Sequence, residues 1–140
     1  MVIIQKIDDF FLIKIYKEYM GNFDVYDRDN IKEFFEDVFS KLKDKYDLRG
    51  LLDVDVYVNS EYGMIIEIYP VYSYFEEIDM RIQIHLDSIF MSEINMNEIE
   101  HDKDIYYYKG KFYRIYKGIC DSEIFYKDTE DIIEKGIKVC

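Results

Sequence analysis

The chain has no Trp, no Ala, one Pro, two Cys and two His among its 140 residues. Cys120 and Cys140 lack a second Cys or His at metal-ligand spacing. We therefore expect two reduced thiols, with no disulfide framework and no metal site. No GxGxxG segment and no GKS or GKT segment is present, so a glycine loop for phosphate binding is not expected. No cofactor is expected, and catalysis is the less favoured alternative.

Long apolar runs are also missing. The apolar N-terminal segment is interrupted by Lys6, Asp8, Asp9 and Lys14, which argues against a signal peptide. No stretch reaches the roughly 18 apolar residues that a membrane-spanning helix requires. The sequence therefore predicts a cytoplasmic protein without a membrane segment.

Negative charge is what the chain has in excess. Asp and Glu number 30 against 18 Lys and Arg, a formal net charge of −12. Such a charge repels phosphate and attracts cations, so we expect no direct nucleic-acid binding, no membrane binding and a basic protein partner. Disorder is not expected, because 49% of the residues are apolar and 18% are aromatic.

A long amphipathic helix is the strongest secondary-structure signal, and it covers about residues 28–46. Apolar residues recur there at the spacing of one helix face. Asp27 can cap the first turn, and Gly50 is the expected stop. The predicted buried stripe consists of Ile31, Phe34, Phe35, Val38, Phe39, Leu42 and Tyr46.

Alternating apolar and polar residues predict several strands. A first hairpin turns at Asp8-Asp9, and a second joins residues 51–58 to 64–69, with Pro70 expected to end it. A further strand covers 78–86, and a last hairpin turns at Lys109-Gly110. A short helix over residues 128–135 and an edge strand close the chain.

These elements predict one α+β domain over residues 1–140. Its expected form is a mainly antiparallel sheet with the long helix and the short C-terminal helix packed on one face.

Two interpretations fit the spacing of His85 and Asp87 in the predicted sheet. His85 and Asp87 lie two apart in a predicted strand, which would place both on one face as a base with its carboxylate or as metal ligands. A solvated strand face explains the same spacing, because Asp is abundant in this chain. No third ligand can be placed, and the solvated face is the favoured interpretation.

The favoured function is non-catalytic protein interaction, through carboxylates interleaved with Tyr on the outward face of the sheet. The sharper form is an inhibitor of a basic, nucleic-acid-processing partner. The composition is similar to that of immunity, anti-restriction and anti-CRISPR proteins, although no motif of those families is present. The candidate partner-binding residues are Asp53, Asp55, Tyr57, Glu67, Tyr69, Tyr72 and Tyr74.

Two alternatives remain open. One is a small-molecule or nucleotide-binding protein, or a minor hydrolase, with a pocket near the C-terminal aromatic hairpin. Its polar anchors would be His85, Asp87, His101 and Arg114. The other is a homo-oligomeric scaffold that pairs through an edge strand.

Overall fold

A computed structural model describes residues 2–72, 76–97, 104–119 and 123–139, and it confirms the α+β class. Two helices and nine strands are assigned in these ranges, together with a 3-10 turn at Lys17–Tyr19. No helix in these ranges combines the length and apolar character needed to cross a membrane. In chain order the elements are β1 (Val2–Ile7), β2 (Phe10–Tyr16), α1 (Arg28–Tyr46), β3 (Gly50–Asn59), β4 (Gly63–Tyr72), β5 (Ile78–His85), β6 (Met91–Ile94), β7 (Ile105–Tyr108), β8 (Lys111–Ile115), α2 (Thr129–Lys135) and β9 (Ile137–Lys138).

The larger sheet has the strand order β1-β2-β4-β3-β5. Its neighbours are antiparallel except β3 and β5, which run parallel. The register places Asp55 of β3 between Glu67 of β4 and Gln83 of β5. It also places Tyr57 beside His85. Polar residues from the three strands therefore share one end of one sheet face.

Helix α1 has an Asp residue at each end. The Asp27 carboxylate accepts hydrogen bonds from the backbone N–H groups of Asp29 at 3.1 Å and Asn30 at 3.3 Å, as predicted for an N-cap. The expected stop at Gly50 is wrong. Asp47 ends the helix in the left-handed region, with φ of 52°, because a short polar side chain tolerates this conformation. Gly50 instead starts β3.

The main core lies between α1 and one face of the larger sheet. The helix contributes Phe35, Phe39 and Leu42, all at most 2% exposed. The predicted apolar stripe is therefore the buried face of α1. Alternate residues of the central strands complete this core: Phe11, Ile13, Ile15, Leu52, Val54, Val56, Val58, Met64, Ile66 and Ile68.

A second, four-stranded antiparallel sheet has the order β6-β8-β7-β9. The β7–β8 hairpin turns at Lys109 and Gly110 as predicted, with φ of 47° and 84°, which suits a type I′ turn. Ile132 of α2 packs with Met91 and Tyr106 of this second sheet. The strands thus form two sheets where the sequence analysis expected one, and α2 packs against the second.

The larger sheet is also covered on the face opposite α1. Leu12 and Ile65 pack there against Phe90, Ile119 and Ile124 from the second half of the chain. Strand β4 is therefore buried on both faces between Gly63 and Ile68. This burial makes a charged residue in the middle of β4 unusual.

Pro70 does not end β4, which continues to Tyr72. The β2–β4 ladder stops at Ile68, so within the described ranges β3 is the one strand paired with β4 at Pro70. The β3–β4 register also shifts between Leu51 and Leu52, next to the proline. A proline is tolerated at such a position, because edges and bulges leave backbone N–H groups outside the ladder.

Candidate functional site

A cleft of about 350 Å³ lies between the C-terminal end of β5 and the N-terminal end of α2. Its walls come from β3, from β5 and the following turn, and from the first residues of α2 and those before it. The lining residues are Tyr57, His85, Leu86, Ser88, Ile89, Tyr126, Lys127, Asp128, Thr129, Glu130 and Asp131.

Aromatic rings form one wall of this cleft. The rings of Tyr57 and His85 stack almost parallel, with centroids 4.4 Å apart and an interplanar angle of 5°. Tyr126 packs against Tyr57 at 5.0 Å with a tilt of 59°. His85 Nε2 lies 3.2 Å from Asp55 Oδ1, so hydrogen bonding orients the imidazole. Parallel pairing of β3 with β5 holds Tyr57 and His85 side by side.

Glu67 lies behind this aromatic wall and is 1% exposed. Its Oε2 accepts a hydrogen bond from the Tyr126 hydroxyl at 2.6 Å and lies 2.8 Å from Lys127 Nζ. Lys127 Nζ also lies 3.5 Å from the Tyr69 hydroxyl. A buried carboxylate requires such partners, because losing water costs an ionised group several kcal/mol. Among the described residues, Glu67 Oε1 has no hydrogen-bond partner.

The pKa values of Tyr126 and Lys127, the two groups that contact Glu67, are both raised. Burial, and then the hydrogen bond to Glu67 and its negative charge, raise the pKa of Tyr126. Burial lowers the pKa of Lys127, but the hydrogen bond and charge of Glu67 outweigh it and the pKa is raised. Near neutral pH, Tyr126 is therefore a neutral donor and Lys127 a cation. Neither group is therefore tuned to transfer a proton near neutral pH, and their contacts with Glu67 stabilise the buried carboxylate.

This network predicts a loss of stability at alkaline pH. Burial and the charge of Glu67 raise the pKa of Tyr57, Tyr69 and Tyr126 above the ordinary value of about 10. The unfolded chain then loses protons that the folded chain retains, so this stabilisation is complete below pH 10 and declines as the pH rises further. Urea unfolding at a series of pH values from neutral to strongly alkaline measures this decline.

Replacing Tyr126→Phe should make the alkaline decline shallower, because the replaced hydroxyl no longer holds a proton. Tyr26 is 88% exposed, and Tyr26→Phe is the matched control that should keep the original slope. Equal slopes for all three proteins would show that the Tyr126 hydroxyl does not contribute to this linkage.

The three predicted partner-binding carboxylates each have a counter-group. Asp53 forms a two-pronged pair with Arg81, at 2.6 Å to Nε and 2.9 Å to Nη2. Asp55 contacts His85, and Glu67 is buried. Charge on this face is therefore largely compensated within the fold, and Glu67 is not displayed on the surface. The alternation along β4 predicts an outward Glu67, and this is wrong because the pattern does not indicate the second layer that covers β4.

The predicted tyrosines are in different surroundings. Tyr57 lines the cleft, and Tyr69 stacks on Phe10 with centroids 5.0 Å apart. The side chain of Tyr72 and all of Tyr74 lie outside the described residues.

Of the three alternative ligand residues that the structure describes, His85 lines the cleft and Asp87 and Arg114 do not. His85 lines the cleft, but β5 ends there, and Asp87 lies in the next turn with φ of 52°. Strand alternation therefore does not place Asp87 on the face of His85, which corrects that expectation. Arg114 lies on β8, where its Nε donates to Ser92 Oγ at 3.1 Å, and it is not a lining residue of the cleft. His101 lies outside the described residues.

Sequence reasoning missed Tyr126, Lys127 and the acidic start of α2 as parts of one site. One signal was present: Glu67 interrupts the apolar run from Met64 to Ile68. A lone carboxylate in such a strand needs a buried cation or several donors. The sequence did not show which Lys or Tyr would supply them.

In the described ranges no group of three or more His, Cys, Asp or Glu side chains is placed to hold an ion. Comparison with known proteins places the chain in no family: no family model matches it, and neither a curated protein nor a solved structure shows significant similarity to it.

Proposed function

We propose that this protein is a non-catalytic interaction protein that binds a basic protein partner. In its sharper form, it is an inhibitor of the immunity-protein type that occupies the basic groove of a nucleic-acid-processing enzyme. The acidic surface provides attraction, and the half-buried Tyr57 and Tyr69 provide contact area at low entropic cost.

One observation carries the proposal: among the described side chains, Glu67 is the sole buried Asp or Glu. The remaining described carboxylates are accessible to solvent, on a chain with a net charge of −12. A charge of this size on a folded surface speeds association with a cationic protein and opposes the approach of phosphate.

The functional test is purification of partners from the native host with the full chain as bait, followed by calorimetry on the purified pair. We expect a partner with a basic surface and a dissociation constant that rises steeply between low and high salt, because screening weakens attraction between exposed charges. Nucleic-acid binding at physiological salt, or a partner whose affinity does not change with salt, would overturn the proposal.

Binding of a small organic molecule in the cleft is the second candidate. The volume of about 350 Å³ is near the lower end of the range for small-molecule sites, and His85 supplies a polar anchor. A nucleotide fits this cleft poorly, because Asp128, Glu130 and Asp131 would repel its phosphates.

Homo-oligomer formation is a third proposal, supported by the edge of the second sheet. Strand β9 is an edge strand, Ile137 is 66% exposed and Val139 is 42% exposed. Exposed apolar edges favour strand pairing between copies. The short length of β9, two residues, places this candidate behind the other two.

A further inference from the structure

We infer that the cleft between β5 and α2 is a recognition site for a single guanidinium group, the end of an arginine side chain presented by the basic partner. This inference rests on the proposed function and deepens it by naming the chemistry that the partner must bring. The aromatic stack, the charge around the cleft and the state of Lys127 support it independently.

The aromatic stack offers a flat surface for a planar cation. His85 stacks on Tyr57 at an interplanar angle of 5°. Strand β5 is the edge of the larger sheet, so no further strand from the described part of the chain covers the other side of the His85 ring. A guanidinium plane stacks well on aromatic rings. A guanidinium group would therefore stack on the other face of His85 and extend the stack of Tyr57 and His85.

Carboxylates outnumber cations around this stack. Asp128, Glu130 and Asp131 line the cleft, while Asp55 and Glu67 contact lining residues. Against these five carboxylates stand two ammonium groups, from Lys127 and from Lys135, whose Nζ lies 3.8 Å from Asp131. A positively charged ligand is therefore favoured and an anion is disfavoured.

Among the described lining residues Lys127 is the one Lys or Arg, and its ammonium does not compete with a cationic ligand for the carboxylates of the cleft. Its Nζ is held at 2.8 Å from the buried Glu67 Oε2. Behind the same wall, Glu67 Oε1 has no partner among the described residues, so this carboxylate retains acceptor capacity. The Lys127 ammonium is thus neutralised by Glu67. The exposed carboxylates of Asp128 and Glu130 remain for a ligand, while Asp131 pairs with Lys135.

A guanidinium fits this arrangement better than an ammonium for two reasons. Its planar group can stack and form a two-pronged hydrogen bond to a carboxylate together, whereas an ammonium is a compact, strongly hydrated point charge. The same fold already shows the two-pronged pairing, between Arg81 and Asp53.

The test is a titration of the chain of residues 1–140 with N-acetyl-arginine amide at low salt. Binding is monitored by the NMR signals of backbone amides and aromatic side chains. Shifts should concentrate at Tyr57, His85 and residues 126–131. N-acetyl-lysine amide should bind about three- to tenfold more weakly, because it forms no planar stack. Removing the lining charges with Asp128→Asn and Glu130→Gln should weaken arginine binding about three- to tenfold.

The matched control removes two exposed charges from α1, on the opposite side of the larger sheet, with Glu33→Gln and Asp44→Asn. It should leave arginine binding unchanged. Equal loss in both variants, shifts spread over the whole surface, equal binding of lysine, or no localised shifts would each overturn the guanidinium site. None of these results changes the salt dependence of a basic partner, so the proposed function would fall only by its own test.

Discussion

Replacing Phe35→Ala should lower the free energy of unfolding by about 3–5 kcal/mol, the usual cost of removing a fully buried aromatic side chain. Phe35 is 0% exposed. Its ring meets those of Phe23, Phe34 and Phe39 at centroid distances of 6.1, 5.4 and 6.2 Å. The loss combines the transfer free energy of the ring with a cavity that helix and sheet cannot close completely. Urea unfolding of both proteins, with unchanged m-values, measures it.

The control for this prediction is Tyr26→Ala, which removes a ring that is 88% exposed. It should change the free energy of unfolding by at most about 0.5 kcal/mol. A similar small change for Phe35→Ala would mean that α1 does not pack on the sheet through the stripe of Phe35, Phe39 and Leu42. Such a result would contradict the central packing of the fold.

Local patterns were sufficient to predict α1 and the hairpins. The spacing from Ile31 to Tyr46 predicted a helix over about 28–46, and Arg28–Tyr46 is helical. Capping by Asp27 and the turn at Lys109-Gly110 were also predicted, because both depend on residues close in sequence. The helix stop was not, because both Asp47 and Gly50 adopt positive φ, and the sequence does not show which of them ends the helix.

The candidate site depends on long-range pairing, which sequence periodicity does not encode. His85 joins Tyr57 and Asp55 because β5 lies parallel to β3, about 30 residues away in sequence. Glu67 meets Tyr126 across 59 residues. Alternation along β3 correctly placed Asp53, Asp55 and Tyr57 on one face. It could not show that Arg81 and His85 would compensate the charges of that face, or that residues from the second half of the chain would cover part of it.

Replacing Glu67→Ala should lower the free energy of unfolding by about 2–4 kcal/mol, the second large effect expected. The change leaves the Tyr126 hydroxyl without its acceptor, and an unsatisfied buried donor costs about 1–3 kcal/mol. The side-chain volume that is lost adds a cavity term. Breaking a fully buried ion pair costs about 3–5 kcal/mol, but the Lys127 side chain is 47% exposed and its ammonium can turn to water, which limits the loss.

The matched control is Asp53→Ala on the neighbouring strand. It breaks a salt bridge with two exposed partners and should cost at most about 1 kcal/mol. A double-mutant cycle of Glu67→Ala with Tyr126→Phe should give a coupling energy of about 0.5–3 kcal/mol, as expected for residues that share a buried hydrogen bond. If Glu67→Ala costs no more than Asp53→Ala and the coupling is near zero, Glu67 is hydrated in solution. A hydrated Glu67 would bind the Lys127 ammonium only weakly. That ammonium could then enter the cleft and compete with a cationic ligand.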